Sequence, residues 1–180
     1  MTSTTIRNIE NKTEELLSDF DMLQAPVKVD KLAKFLGATI EYQDLDDEVS
    51  GFLVRKHNKN IIGVNQNHPP VRKRFTISHE IGHLILHLHK QALFVDYYKD
   101  KGAKFYRSTN KEYDYRMEKE ANQFAASLLM PEPLIEVEIQ NLPENLNYSM
   151  MMMMLSRKFK VSTQAMDFRL KALGYYDYGF

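Results

Sequence analysis

The stretch RFTISHEIGHLILHLHK, from Arg74 to Lys90, decides the fold and raises the question of function. Within it, His79, Glu80 and His83 form an HExxH motif, and residues four apart share one face of a helix. Two histidines at this spacing can hold one zinc ion, and the glutamate can take a proton from zinc-activated water. The sequence therefore predicts a metal-binding helix that carries its own catalytic base.

The apolar residues of this stretch recur at helical spacing, on the side opposite to the two motif histidines. Gly82 lies between the two sides and permits close approach by another element. Because buried polar groups need partners, a metal ion is a natural partner for His79 and His83. The alternative is a core helix whose histidines are held by hydrogen bonds alone. The apolar positions are Ile77, Ile81, Leu84, Ile85 and Leu88.

A third histidine, His87, continues the line of His79 and His83. It is a candidate ligand, a candidate support for a ligand, or a half-exposed histidine. Three residues of one straight helix span about 12 Å at 1.5 Å per residue, so one ion cannot take all three. We therefore expect His87 to be half-exposed, and His89 to be solvated.

The third protein ligand of a catalytic zinc site must come from another element, because such a site has three protein ligands and one open position. The chain has no cysteine, so only His, Asp and Glu qualify. In EKEANQFAASLLMP, from Glu118 to Pro131, helical projection places Glu118 on a face of small residues and Glu120 on a polar face. Glu118 is the better ligand, and Asn122 is placed to hydrogen-bond a zinc histidine and fix its ring. The alternative is an amphipathic helix with surface charge.

Composition excludes several functional classes. Lysine plus arginine equals aspartate plus glutamate, at 24 each, so no global field attracts nucleic acid or a membrane. The absence of cysteine fits a reducing compartment. The N-terminus lacks the apolar segment of a secretory signal, and the longest apolar run, Met150–Leu155, is too short for a bilayer. We expect a soluble cytoplasmic protein without membrane contact.

Two separate motifs together carry a family resemblance. RFTISHEIGHLILH followed downstream by EKEANQFAASLLMP resembles the ImmA/IrrE family of zinc metallopeptidases. VSGFLVRK with IIGVNQNHPPVRKRFT resembles the family's strand region, and LSRKFKVSTQAMDFRLKALG resembles its C-terminal helical pair, so that the likeness runs from about Pro26 to Gly174. The resemblance implies a gluzincin-like core in which His79, His83 and Glu118 hold Zn²⁺ and Glu80 is the general base.

The expected fold class is α+β, with a small antiparallel sheet packed on a helical, zincin-like core. GFLVRK and NIIGVN flank the polar residues 57–60, which is a hairpin signal. We divide the chain into an N-terminal tail or helix (residues 1–25), the metallopeptidase core (26–145) and a C-terminal helical, helix-turn-helix-like segment packed on the core (146–180). A short stretch at the N-terminus is expected to be disordered.

The resemblance also implies a function in gene regulation. Members of the family typically cleave a partner repressor of the helix-turn-helix class, so we expect a zinc endopeptidase that acts on a repressor or antitoxin from a neighbouring gene. An edge strand of the hairpin is a candidate for holding substrate by strand addition. The alternative is a non-catalytic protein that sequesters a repressor or toxin around a structural or vestigial zinc. The intact Glu80 favours the enzyme, because a structural site needs no base.

Two further sets of residues have open roles. Tyr113 and Tyr115 are candidates for stabilising the oxyanion, although packing is the favoured role for each. The basic residues of the C-terminal helices suggest DNA contact, but zero net charge and apolar core positions favour packing, so we do not expect direct DNA binding. These basic residues are Arg157, Lys158, Lys160, Arg169 and Lys171.

Overall fold

The structure is a computed structural model, and its described part contains seven helices and one four-stranded sheet. It describes residues 1–57, 59–87, 93–97, 111–144 and 146–175, and of residues 56, 93–97 and 111–114 the backbone only. In chain order the elements are α1 (Ser3–Asp19), α2 (Val29–Phe35), β1 (Ala38–Gln43), β2 (Val49–Lys56), β3 (Lys59–Asn65), α3 (Pro70–Leu86), β4 (Leu93–Tyr97), α4 (Lys111–Leu129), α5 (Glu132–Gln140), α6 (Tyr148–Phe159) and α7 (Thr163–Ala172). The predicted α+β class is confirmed.

Helix α3 is the central element and contains the HExxH motif. Pro69 is its N-cap and Pro70 its first residue, because proline is preorganised for the first turn of a helix. Every residue from Thr76 to Leu84 is buried, on the histidine side as well as the apolar side. The sheet and α4 both pack against α3. The polar motif therefore lies inside the protein.

The sheet has the order β1-β3-β2-β4 and is mixed, so the predicted antiparallel sheet is wrong in one pairing. The predicted hairpin of β2 and β3 is present, with Leu53 opposite Ile62. That hairpin inserts β3 between β1 and β2, so β1 pairs with β3 in parallel. Both hairpin strands are therefore internal, and the expected use of a hairpin edge for strand addition is also wrong. Among the described residues the edges are β1 and β4.

Helix α1 is an integral part of the core. Thr2 caps it by accepting from the backbone N–H of Thr5, and Leu17 is fully buried against the rest of the core. The N-terminal stretch is therefore a helix from Ser3 to Asp19, and the expectation of disorder there is wrong. None of the described helices combines the length and the apolar character needed to cross a bilayer.

A buried ion pair ties α1 to α7. Both terminal nitrogens of Arg169 bind the Glu10 carboxylate, at 2.6 and 2.7 Å, and its Nε donates to the carbonyl of Met130. Nε2 of Gln123 on α4 donates to the same carboxylate. The first and last described helices are thus joined to each other and to the helix that follows the motif.

Replacing Arg169 by methionine should lower the free energy of unfolding by about 3–5 kcal/mol, because Glu10 would remain buried without its counter-charge. The double variant Glu10→Met/Arg169→Met should recover much of this loss. Chemical denaturation measures both effects. Lys171→Met is the matched control, because Lys171 pairs with Asp167 at the surface, and it should change little. Equal effects of Arg169→Met and Lys171→Met would contradict the assignment.

Candidate metal centre

The site depends on how closely α3 and α4 approach each other. A Cβ atom at Gly82 would lie 3.2 Å from Cα of Ala121 and 3.2 Å from Cβ of Phe124, so no larger residue fits without movement of a helix. This contact lies between His79 and His83 on α3 and one turn beyond Glu118 on α4. The absence of a side chain at Gly82 therefore brings the motif histidines within reach of groups on α4.

Three side chains converge across this helix contact. Nε2 of His79 lies 3.0 Å from Nε2 of His83, and the Glu118 carboxylate oxygens lie 3.3 Å and 3.0 Å from these two nitrogens. Both histidines are buried, and the Glu118 side chain is 18% exposed. Among the described residues, these three form a group whose donor atoms are close enough to share one metal ion.

The protonation states of His83 and Glu118 favour metal binding near neutral pH. Burial lowers the pKa of His83 to about 4, so its imidazole is neutral. Burial raises the pKa of Glu118, but close contacts with His79 and His83 outweigh burial and bring it below its ordinary value. Since metal ligands must be neutral imidazole or ionised carboxylate, neither His83 nor Glu118 has to lose a proton first.

The donor set fits a divalent transition metal. Tetrahedral zinc, with bonds of about 2.0–2.1 Å, places its ligand atoms about 3.3 Å apart, close to the three observed separations. Two imidazole nitrogens and a carboxylate oxygen are typical of catalytic zinc sites.

The other two predicted site residues lie beside this cluster. Glu80 directly follows His79 on α3 and is fully buried. Asn122, at the exposed edge of α4, accepts a hydrogen bond at Oδ1 from Nδ1 of His79, at 3.1 Å. Because an amide oxygen only accepts, His79 carries its proton on Nδ1 and presents the Nε2 lone pair to the cluster.

The expectation of a half-exposed His87 is wrong. His87 is fully buried, with Nδ1 3.1 Å from Nδ1 of His83 and Nε2 3.0 Å from a carboxylate oxygen of Glu120. Glu120 was expected to face water, but its side chain is only 18% exposed. Helical projection treats α4 as an isolated helix, whereas the crossing with α3 covers Glu120. The spacing of His79, His83 and His87 was the available signal.

Of the two tyrosine candidates, only Tyr115 has a described side chain. The Tyr115 side chain is 62% exposed, with Nζ of Lys119 4.4 Å from its ring centroid, so the favoured packing role for Tyr115 is wrong. The side chain of Tyr113 lies outside the described part, as does all of His89.

The fold and the donor cluster define a candidate metal centre on two crossed helices. The chain belongs to the Peptidase_M78 family of metallopeptidases: the family profile, described as the IrrE N-terminal-like domain, matches residues 33–171. The resemblance to the ImmA/IrrE family is thereby confirmed.

Comparison of structures shows similarity to a Mycobacterium tuberculosis transcriptional regulator, with a TM-score of 0.56 and 16% sequence identity. The alignment covers 94% of this chain and 47% of that one, so this chain spans about half the length of the regulator. At this identity the similarity shows the fold alone. Among curated proteins, no sequence reaches a significant match.

Zinc content should depend on both helices. Wild-type protein is expected to bind one zinc ion per chain, and His83→Ala and Glu118→Ala should each lose it, because two remaining ligands hold zinc weakly. Elemental analysis after gel filtration measures the stoichiometry. Glu136→Ala is the matched control, because this glutamate is exposed on α5, and it should retain zinc. Retention of zinc by His83→Ala would refute the site.

Widening the helix contact should damage the fold and the site together. In Gly82→Val, the added side chain forces α3 away from Ala121 and Phe124, and such overpacking typically costs about 1–3 kcal/mol. Zinc affinity should fall as well, because Glu118 moves away from the histidines. Denaturation and zinc titration of the same samples test this expectation. If Gly82→Val has the stability and the zinc affinity of wild type, the close contact of α3 with α4 at Gly82 does not determine the geometry of the site.

Proposed function

We propose that this protein is a zinc-dependent endopeptidase that cleaves a specific regulatory partner of the helix-turn-helix repressor or antitoxin type. The observation that carries the proposal is the convergence of His79, His83 and Glu118, beside a buried Glu80 on the same helix turn. A site that only held the fold together would need three or four ligands but no adjacent carboxylate. The pairing of ligands with a base is what peptide hydrolysis requires.

The proposed mechanism gives each of these residues a separate task. His79, His83 and Glu118 would hold the zinc ion, which would supply Lewis-acid polarisation of the scissile carbonyl and lower the pKa of a water molecule to near neutral. Glu80 takes the proton from the attacking water and then delivers it to the leaving amine, so that its carboxylate is regenerated. Asn122 holds the His79 ring in the orientation that directs Nε2 toward the ligand cluster.

A regulatory protein as substrate is supported by the family. The resemblance to ImmA/IrrE proteins implies cleavage of a repressor, and the similar mycobacterial structure is named as a transcriptional regulator. For an extended substrate segment, the nearest candidate edge is β4, which follows α3 in the chain and lies at one edge of the described sheet. Addition of a strand there would supply main-chain hydrogen bonds whatever the substrate sequence.

Direct DNA binding by the C-terminal helices is not part of the proposal. Arg169, one of their basic residues, is buried in its ion pair with Glu10. The turn between α6 and α7 is held against the core, because the Arg74 guanidinium donates to the carbonyls of Phe159 and Lys160. Both observations support a packing role for this helical pair and leave fewer basic groups for phosphate contact.

Glu80→Gln separates catalysis from binding. Glutamine keeps the shape and should keep zinc, but it cannot accept the proton of the attacking water. We expect cleavage of the partner to fall by at least about 10²–10⁴-fold. Co-expression with a helix-turn-helix repressor encoded beside the protein, followed by intact mass measurement, detects the products. Glu136→Gln is the matched control and should cleave like wild type.

Three results are required together: zinc retained, partner bound and cleavage lost in Glu80→Gln. Cleavage at the wild-type rate by this variant would contradict the mechanism. If wild type and variant both bind the partner tightly and neither cleaves it, a sequestering protein becomes the better account.

A further inference from the structure

A chain of buried polar contacts extends beyond the three proposed ligands. His87, the C-cap of α3, is in contact through both ring nitrogens: Nδ1 with Nδ1 of His83 and Nε2 with Glu120, which projects from α4. No part of this chain is needed for peptide hydrolysis as described above. Burying these two groups costs free energy of folding, because the Glu120 carboxylate and the His87 imidazole are both largely removed from water.

The chemistry of Glu120 fixes the direction of the hydrogen bonds in this chain. An ionised carboxylate only accepts, so Nε2 of His87 carries a proton and donates it to Glu120. In a neutral His87 ring, Nδ1 then bears a lone pair and accepts from the Nδ1–H of His83. Neutral His83 consequently has its lone pair on Nε2, the atom that lies 3.0 Å from both His79 Nε2 and Glu118.

We propose that Glu120 and His87 are positioning residues that fix the tautomer and ring orientation of His83 and so raise the affinity of the site for zinc. We call them the Glu120–His87 relay. The proposal rests on the proposed zinc site, in which His83 is a ligand. His87 contacts Nδ1 of His83, whereas the other two proposed ligands lie at Nε2 of that ring, and Glu120 acts on His83 through His87.

The arrangement around His79 supports this interpretation. The Nδ1–H of His79 is held by Asn122, just as the Nδ1–H of His83 is held by His87. Helix α4 thus supplies a proposed ligand, Glu118, the group that orients His79, and the carboxylate of Glu120 that holds His87. Outer partners of this kind typically contribute 10–100-fold to metal affinity. A relay of fold-stabilising value alone would have no need to end on the ring of a proposed ligand.

The first test is the dissociation constant for Zn²⁺, measured by competition with a chromophoric chelator. His87→Leu leaves the His83 Nδ1–H without its acceptor and should weaken zinc binding by about 10–100-fold. His87→Asn should recover most of the affinity, because its amide oxygen can accept the same proton. Glu120→Ala should also weaken binding. Arg116→Gln is the matched control, because Arg116 is an exposed partner of Glu120 at 3.8 Å and lies outside the relay as defined, so this variant should bind zinc like wild type.

The second test is the proton position on His87 in zinc-loaded wild-type protein, read from long-range ¹H–¹⁵N spectra. The relay requires a neutral His87 with its proton on Nε2. A doubly protonated ring, or a proton on Nδ1, would overturn the proposal, because Nδ1 could not then accept from His83. This measurement needs no variant and so remains decisive if His87→Leu fails to fold.

The zinc site and the Glu120–His87 relay are refuted by different results. If His83→Ala and Glu118→Ala lose zinc while His87→Leu and Glu120→Ala bind it as tightly as wild type, the relay is refuted and the zinc site stands. If His83→Ala and Glu118→Ala also bind zinc like wild type, the site itself is refuted, and the relay with it.

Discussion

The contact of α3 with α4 at Gly82 is the constraint on which the site depends. A metal site needs its donor atoms within a few tenths of an ångström of the required separation, and helices are placed that precisely only by close packing. Here the packing is backbone against backbone, since even a methyl group at Gly82 would crowd Ala121 and Phe124. The ion pair between Glu10 and Arg169 and the bond from Gln123 to Glu10 hold the outer side of α4. The rest of the fold therefore keeps α4 pressed onto α3.

Much of the site was accessible from the sequence because it is local in the chain. Spacing within one helix places His79 and His83 together, and projection of α4 selects Glu118 over Glu120, as the structure also brings Glu118 to the histidines. The hairpin of β2 and β3, the proline start of α3 and the cap at Ser162 are equally local signals. Each of these features is decided by residues fewer than about ten positions apart, where periodicity and capping rules apply.

The failures that concern the sheet and the site involve pairs that are distant in the chain. The parallel pairing of β1 with β3 depends on where a hairpin inserts, which no single strand pattern encodes. The burial of His87 and Glu120 depends on the angle at which two helices cross. The contact of Glu10 with Arg169 joins residues 159 positions apart. In the last two cases, polar or charged residues that look solvent-facing in their own element are covered by another element, so projection of one element alone misassigns them.

The central claim is that His79, His83 and Glu118 hold one catalytic zinc ion. The most direct measurement is anomalous diffraction at the zinc absorption edge from crystals of zinc-loaded protein. The account predicts one strong peak per chain, about 2 Å from Nε2 of each histidine and from a carboxylate oxygen of Glu118. A loaded crystal whose zinc peak lies elsewhere, with no density between these three side chains, would contradict it.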